Sequence, residues 1–300
     1  MKLVLSLLIV LGLLAGCNKQ ADSGSKAGAD GSDKAGDKVF VFTAIPDQNA
    51  TDLDKRYAAI SKYFEEKLGV KVKYIPQKKY SASVTAFKNN DVQLAWFGGF
   101  TGVQARLAVP GSIAIAQGAE DPEYMTYFIA NASTGLKLGD KFPDIKGKTF
   151  TFGSKSSTSG RLMPQHFLLK ETGKKPEDYF GKVGFSGDHS KTISLVESGA
   201  YEVGALSYKT WEKAVKKGTV DTSKANLIWK TPFYPDYHWT IRGDVEEKFG
   251  KGFIAKVKKA LLELDDKDIL EQFNRSKFIE AENSMFQPIY DVAKSLDLID

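Results

Sequence analysis

The sequence predicts an α/β protein whose chain forms two lobes with a ligand cleft between them. Short apolar strands alternate with amphipathic helices, the alternation breaks and restarts after residue 117, and a helical stretch follows the last strand. The chain has 300 residues, of which 42% are hydrophobic and 26% charged, so it can form a large core under a soluble surface. This length fits one or two domains.

The first 38 residues are predicted to address and tether the protein. Lys2 precedes an apolar run over 3–15, which is shorter than the roughly 20 residues of a membrane-spanning helix. The run ends at Leu14-Ala15-Gly16-Cys17, which looks like a bacterial lipobox around the only cysteine of the chain. We expect a lipoprotein signal peptide over 1–16, lipidation of Cys17 and a flexible tether over 17–38. An ordinary signal peptide with a chance cysteine is the alternative.

The body begins with an α/β unit over residues 39–117. One helix shows the pattern best, since its apolar residues fall three or four positions apart from Leu53 to Leu68, and Gly69 follows as a cap. Strands are expected over 39–45, 70–75, 92–97 and 112–117, and helices over 51–68, 81–88 and 101–108. This order favours a mainly parallel sheet covered on both faces.

A second unit follows, and the chain then returns to the first. Strands are expected over 124–131, 149–153, 182–186, 202–206, 226–229 and 237–241, and helices over 160–171, 192–198, 208–217 and most of 244–298. We therefore assign lobe 1 to residues 39–130 plus 236–300, and lobe 2 to residues 131–235. Ligands of open α/β sheets bind beyond the carboxyl ends of the strands.

Several functional classes are excluded or disfavoured. The 42 basic residues are not gathered into a stripe and 37 acidic residues interrupt them, so no nucleic-acid partner is expected. The three histidines lack metal-site spacing, no G-x-S-x-G motif occurs, and Phe142 replaces the first glycine of a possible P-loop before Gly147-Lys148-Thr149. We expect no enzymatic activity, no metal and no cofactor.

The strongest candidate binding segment runs from Phe152 to Pro164, where a strand ends, a hydroxyl-rich turn follows and a helix begins. Because proline is tolerated only in the first turn of a helix, the N-cap is expected near Thr158 or Ser159. Free N–H groups and the helix dipole favour an anion there. Four consecutive side chains add hydroxyl donors: Ser156, Ser157, Thr158 and Ser159. A plain helix cap, which needs one hydroxyl, is the alternative.

Weaker candidates lie at other strand ends. His189 with Asp188 opens a predicted helix, and Gly98-Gly99 allows backbone to approach a ligand closely. Tyr80 can donate its hydroxyl or simply cover a helix. The aromatic run over 233–239 can wall a cleft, although packing is the simpler interpretation.

Six segments together form a pattern that occurs in a known family: Ile45-Pro46-Asp47; Tyr80 before a helix; Leu94-Ala95-Trp96-Phe97-Gly98; Asp144-Ile145-Lys146-Gly147-Lys148; Ser157-Thr158-Ser159-Gly160 with Leu162 and Pro164; and Phe185-Ser186-Gly187-Asp188-His189. The chain resembles the substrate-binding lipoproteins of phosphate, phosphite and phosphonate ABC importers. The resemblance implies a two-lobed periplasmic-binding-protein fold of type II. It also implies that an oxyanion is held by four residues: Ser157, Thr158, Ser159 and His189. Tyr80 and Asp236 are further candidates.

The resemblance also implies partners and a location. We expect a small tetrahedral oxyanion, a permease with its ATPase, and a membrane contacted through the lipid anchor. The protein is expected to be a monomer in the periplasm or at the cell surface.

The identity of the anion stays open at this point. Gly102 stands where the family often has a ligand-contacting Tyr, and the segments Trp96–Gly99 and Phe152–Ser154 look more like a branch labelled as selenate binders. A phosphorus oxyanion carries a proton near neutral pH and gains from an acceptor, for which Asp188, Glu202 and Asp236 are candidates. Sulfate or selenate needs donors only. A sensory or partner-binding lipoprotein without a small ligand is the alternative from another class.

Overall fold

The computed structural model describes residues 38–299. The predicted signal peptide, the lipidation site at Cys17 and all but the last residue of the tether lie outside the described residues. Within the described part, no helix combines the length and the apolarity that crossing a membrane requires.

The first part of the body forms four strands and three helices. In chain order these are β1 (Val39–Ala44), α1 (Ala50–Leu68), β2 (Lys71–Tyr74), α2 (Tyr80–Lys88), β3 (Leu94–Phe97), α3 (Gly99–Ala108) and β4 (Ile113–Gly118). Helix α1 begins where the Asn49 side chain accepts a hydrogen bond from the Asp52 N–H, and it ends at Gly69, whose φ of 65° is in the left-handed region. Both ends therefore follow from the sequence.

The central part forms the second set of elements. In chain order these are β5 (Thr126–Asn131), β6 (Thr149–Phe152), a π-helical turn (Thr158–Leu162), α4 (Met163–Thr172), α5 (Pro176–Tyr179), β7 (Lys182–Phe185), α6 (His189–Glu197), β8 (Val203–Ser207), α7 (Tyr208–Lys216) and β9 (Ala225–Lys230). The remainder consists of β10 (His238–Ile241), α8 (Val245–Phe249), α9 (Phe253–Leu262), α10 (Lys267–Phe273), β11 (Phe278–Glu280) and α11 (Gln287–Ser295).

The strands form two sheets, and each sheet defines a lobe. Lobe 1 contains the six-stranded sheet β11-β4-β10-β3-β1-β2, and lobe 2 the five-stranded sheet β7-β6-β8-β5-β9. Both sheets are mixed, so the expectation of a mainly parallel sheet is wrong. One reason is that β5 and β10 enter their sheets from the opposite lobe and run antiparallel to their neighbours. A second is that the short edge strand β11 is antiparallel to β4.

Two crossing segments join the lobes. An isolated antiparallel bridge pairs Tyr124 with Tyr234, and the Asp236 N–H donates to the Asp121 carbonyl over 3.0 Å. Since β5 already pairs in the lobe 2 sheet, the expected first boundary at residue 130 lies too late. The chain crosses before residue 126.

A buried ion pair braces the first crossing segment. Arg275 donates from Nε and Nη2 to the two carboxylate oxygens of Asp121, over 2.8 and 2.6 Å. The Arg275 guanidinium also lies over the rings of Trp96, Tyr124 and Tyr237. Both charged side chains are almost fully buried, so each depends on the other for neutralisation.

Candidate functional site

Four helical segments begin with residues that lie close to the contact between the lobes. Tyr80 opens α2, Gly99 opens α3, Thr158 opens the π-helical turn and His189 opens α6. Contacts across the cleft bring them together, because the Phe100 N–H donates to Thr158 Oγ1 over 3.0 Å and the His189 N–H donates to the Asp47 carbonyl over 3.1 Å. Helix N-termini present free N–H groups and a positive potential, which suits an anion.

The hydroxyl-rich turn is held by its own backbone. Ser157 is the N-cap, and its Oγ accepts from the Gly160 N–H over 2.9 Å. The cap thus lies one residue before the range expected from Pro164. Because Pro164 has no N–H, the Gly160 carbonyl stays free and instead accepts from the Gly153 N–H over 2.7 Å. This bond fixes the turn to the end of β6.

The hydroxyls of the turn have different surroundings. Thr158 Oγ1 is engaged by lobe 1, as described above. Ser159 is 1% exposed, and its Oγ lies near the Asp236 carboxyl and the Tyr234 hydroxyl but makes no hydrogen bond of good geometry to any described residue. Ser156 is half-buried and lines a groove at the mouth of the cleft. Ser159 is therefore the hydroxyl of this turn that is most available to a buried ligand.

Asp236 supplies a carboxyl group in the middle of these donors. Its Oδ1 accepts from the Gly99 N–H over 2.8 Å, whereas Oδ2 is buried without a protein partner in the described chain. Burial, with the charge of Asp121 nearby, raises the pKa of Asp236 to about 7, although the hydroxyls of Thr158 and Ser159 and the Gly99 N–H act in the opposite direction. A Cβ on Gly98 would lie 3.0 Å from Asp236 Oδ1 and 3.1 Å from Thr158 Oγ1, so only glycine fits there comfortably.

His189 is a buried imidazole close to these groups. It is fully buried, and burial lowers the pKa of its imidazole despite the opposing effect of Asp47 and Asp188. The Ser207 N–H donates to Nδ1 over 3.4 Å, which places the ring proton on Nε2, 3.3 Å from the Tyr237 hydroxyl.

Tyr80 adds a further buried hydroxyl. The residue is 1% exposed, and its Oη lies beside Ser157 but makes no hydrogen bond of good geometry to any described residue. Burial, with Asp47, Asp188 and Asp236 nearby, raises the pKa of this phenol well above its usual value. Tyr80 is therefore a neutral donor at any physiological pH.

Sequence reasoning did not assign two site residues. Tyr237 belongs to the aromatic run that we expected to pack, and it does stack on Trp96 with ring centroids 5.6 Å apart, but its hydroxyl also faces His189. Asp47 is buried, and Arg56 Nη1 lies 3.5 Å from its Oδ1. Asp47 could have been assigned from the sequence, because Ile45-Pro46-Asp47 is part of the family pattern. No feature of the local sequence distinguishes Tyr237 from a packing residue.

Two of the three proposed acceptors are engaged elsewhere. Asp188 caps α6 by accepting from the Lys191 N–H over 2.8 Å, and it pairs with Lys191 Nζ over 2.9 Å. Glu202 accepts from the Thr149 N–H over 2.8 Å and pairs with Lys148, so it belongs to the β6–β8 edge of lobe 2. Of the three, Asp236 alone has an oxygen that is buried in the site and makes no hydrogen bond of good geometry to any described residue.

Packing explains why this chain has Gly102 where the family often has a tyrosine. A Cβ at this position would overlap the His238 ring and approach Arg106 Nη1. His238 stacks on Phe286 and lies 2.6 Å from Arg106 Nη1 through its Nε2. Gly102 therefore makes room for this cluster of lobe 1. No three His, Cys, Asp or Glu side chains in the described part of the chain are grouped as a metal site would need.

A two-lobed α/β fold with a cleft between its two sheets is typical of the class of periplasmic substrate-binding proteins. Residues 42–286 match the model of one family within it, described as the phosphonate periplasmic substrate-binding protein of ABC transporters. The chain belongs to this family. The predicted resemblance and the two-lobed fold class are thereby confirmed.

Curated relatives and solved structures agree with this family. The chain is 44% identical, over 87% of its length and 91% of the relative's, to a probable ABC transporter phosphite-binding protein, PhnD1 of Prochlorococcus marinus. The structure of that PhnD1 in complex with methylphosphonate matches with a TM-score of 0.84 and covers 87% of this chain and 99% of that one. A binding component of an ABC phosphonate transporter from Pseudomonas aeruginosa, 21% identical, shares the fold with a TM-score of 0.73 over 85% of each chain.

Family membership fixes the general activity. The protein is the periplasmic substrate-binding component of a phosphonate-type ABC importer, and the permease and ATPase of such an importer are its partners. The relatives are binding proteins and not enzymes, as the failed enzyme motifs led us to expect.

Proposed function

We propose that this protein captures a small phosphorus oxyanion that carries a proton near neutral pH, phosphite or methylphosphonate first, and delivers it to the permease. Support comes from the 44% identical relative, which is named a phosphite-binding protein and has a structure with methylphosphonate. The chemistry of the buried groups in this chain supports the same ligand class, as follows.

Asp236 is the single observation that carries the choice of anion. Its Oδ2 is buried and makes no hydrogen bond of good geometry to any described residue, although the hydroxyls of Thr158 and Ser159 lie close to the carboxyl group. A phosphorus oxyanion with one proton satisfies an ionised Asp236 through a P–OH donor. Fully ionised sulfate or selenate has no proton to give and would repel the carboxylate.

Donors for the other oxygens come from both lobes. Ser159 Oγ and Tyr80 Oη are buried hydroxyls without a protein partner among the described residues. Because Ser157 Oγ caps only the Gly160 N–H, the earlier N–H groups of the π-helical turn have no intrahelical partner. His189 and Gly98-Gly99 complete the proposed site. The resemblance implied that Thr158 holds the anion. Its hydroxyl also accepts a hydrogen bond from the Phe100 N–H of the other lobe.

Thermal-shift measurements with a set of small anions test this proposal. Residues 18–300 would be unfolded, freed of bound ligand and refolded, and thermal shifts recorded with phosphite, methylphosphonate, aminoethylphosphonate, phosphate, sulfate and selenate. Ligand at 100 times its Kd adds about 2.7 kcal/mol to the stability of the folded form. Stabilisation by phosphorus anions alone supports the proposal, and stabilisation by sulfate or selenate alone establishes the alternative oxyanion. No shift with any anion favours a partner-binding lipoprotein.

The Asp236→Asn variant tests whether this carboxyl group sets the selectivity for the anion. Asn keeps the size of the side chain and an oxygen for the Gly99 N–H but cannot be ionised. We expect weaker binding of phosphite and a smaller preference for phosphite over sulfate. Unchanged selectivity would remove Asp236 from the recognition of the anion.

We also propose that Cys17 anchors the protein to a membrane after cleavage of residues 1–16, and that the protein acts as a monomer. The lipobox-like segment Leu14–Cys17 supports the anchor. Expression of the full chain and of Cys17→Ser would decide the first point, because loss of the anchor moves the protein from the membrane fraction to the soluble fraction. Light scattering on residues 18–300 would decide the second.

A further inference from the structure

A groove of about 950 Å³ lies between the lobes at the mouth of the site. One wall comes from lobe 1 around Pro46, Tyr74 and Lys78–Ser81, and the other from lobe 2 around Ser154–Ser156 and Phe185. Tyr80 and Ser156 line this groove and also belong to the proposed anion site. We call it the entry groove, because separation of its two walls would open the path to the buried hydroxyls.

The entry groove has an excess of positive charge. Four lysines line it, Lys78 and Lys79 on lobe 1 and Lys155 and Lys191 on lobe 2, against the carboxylates of Asp54 and Asp188. Lys191 is neutralised by its ion pair with Asp188. The other three lysines form no ion pair with any described carboxylate and are solvent-exposed.

The charges inside the site contrast with this mouth. The buried groups that face the proposed site are neutral hydroxyls, a neutral imidazole, the carboxyl group of Asp236, and that of Asp47 with its ion-pair partner Arg56. An approaching anion therefore gains no long-range attraction from these side chains. Exposed lysines at the mouth act at a distance and need not be desolvated when the anion has bound.

We propose that three exposed lysines of the entry groove, Lys78, Lys79 and Lys155, raise the association rate of the anion by electrostatic attraction. This inference deepens the proposed function and rests on it. The lysines act on the encounter and not on the bound complex, so they change kon and leave koff nearly unchanged.

Coulomb's law gives the size of the effect. For a monoanion about 10 Å from each ammonium in water, one lysine contributes a factor of about 2 before screening. At about 0.01 M ionic strength, where the Debye length is about 30 Å, three lysines together contribute about four- to fivefold. At about 0.15 M, with a Debye length of about 8 Å, the same three contribute less than about twofold.

Stopped-flow fluorescence tests the proposal. Trp96 stacks on Tyr237 within the site and is a natural reporter of binding. The rates kon and koff for phosphite would be measured at both ionic strengths for the wild type and for two triple variants. The groove variant is K78Q/K79Q/K155Q, and the matched control K170Q/K174Q/K175Q removes three exposed lysines around the C-terminal end of α4. Thermal melting checks that both variants fold.

The expected result is a four- to fivefold loss of kon at low salt in the groove variant alone, with koff unchanged. An unchanged kon, or an equal loss in the control, overturns the proposal, because net charge and not the groove would then set the rate. A raised koff with unchanged kon also overturns it, since the lysines would then hold the bound anion. Absence of phosphite binding in the wild type is a separate failure, that of the proposed function.

Discussion

Replacing Asp236 by Asn tests the physical state of the carboxyl group at the centre of the site. Its pKa is raised from 3.8 to about 7 by burial. A carboxyl group whose pKa is higher in the folded than in the unfolded chain ionises less readily in the folded chain. Its ionisation therefore costs stability as the pH rises from about 4, and the cost is complete above about 7.

The magnitude follows from the two pKa values. Their difference of about 3 corresponds to about 4 kcal/mol above pH 7, at 1.36 kcal/mol for each pKa unit. At pH 5 the cost is only about 1.6 kcal/mol. Asn has no charge to bury and still accepts from the Gly99 N–H, so the gain in stability from Asp236→Asn should grow by about 2.5 kcal/mol between pH 5 and pH 8.5.

Urea unfolding of the ligand-free wild type and of Asp236→Asn at several pH values measures this difference. All other titrating groups are common to both proteins, so their contributions cancel in the comparison. Parallel curves of unfolding free energy against pH would refute the reasoning, because they would show that Asp236 titrates alike in the folded and unfolded chains.

Three further substitutions test other parts of the structure. Tyr80→Phe removes a buried hydroxyl that has no protein partner in the described chain, so isothermal calorimetry should show about tenfold weaker phosphite binding while urea unfolding shows little loss of stability. Gly102→Ala forces a methyl group into the His238 ring and should cost about 2 kcal/mol, seen as a melting temperature about 5 °C lower. Asp121→Ala leaves Arg275 buried without its partner and should cost about 3–5 kcal/mol in urea unfolding, part of which the added change Arg275→Met restores. A stable Gly102→Ala, or an Asp121→Ala variant no less stable than wild type, would contradict the packing described here.

Most of the fold could be predicted from the sequence because its elements are locally encoded. The apolar spacing in α1, with Gly69 at its end, determines that helix almost to the residue. Strand β11 was missed because Phe278–Glu280 is only three residues long and forms by pairing with β4, a partner far away in the chain. The directions of β5 and β10 were missed for a related reason, since they depend on where the chain crosses between the lobes.

The candidate site divides in the same way. The hydroxyl run around Ser157 is visible in the sequence because one short turn supplies several donors, and the structure brings it together with Asp236. The free oxygen of Asp236 and the Tyr237 hydroxyl are properties of packing between distant segments. Glu202 shows the converse, because a plausible acceptor by composition is consumed by a local bond to Thr149.

The bonds from Phe100 N–H to Thr158 and from His189 N–H to Asp47 have a consequence for the transport cycle. Both join the lobes through the protein's own atoms, so part of the free energy of closure does not come from the cargo. A permease that recognised only the closed form would then also bind ligand-free protein, and its ATPase would hydrolyse ATP without transport. We therefore expect the lifetime of the closed form, which the anion prolongs, to decide productive delivery. ATP hydrolysis by the reconstituted importer, equally fast with loaded and unloaded protein, would show instead that shape alone is sufficient.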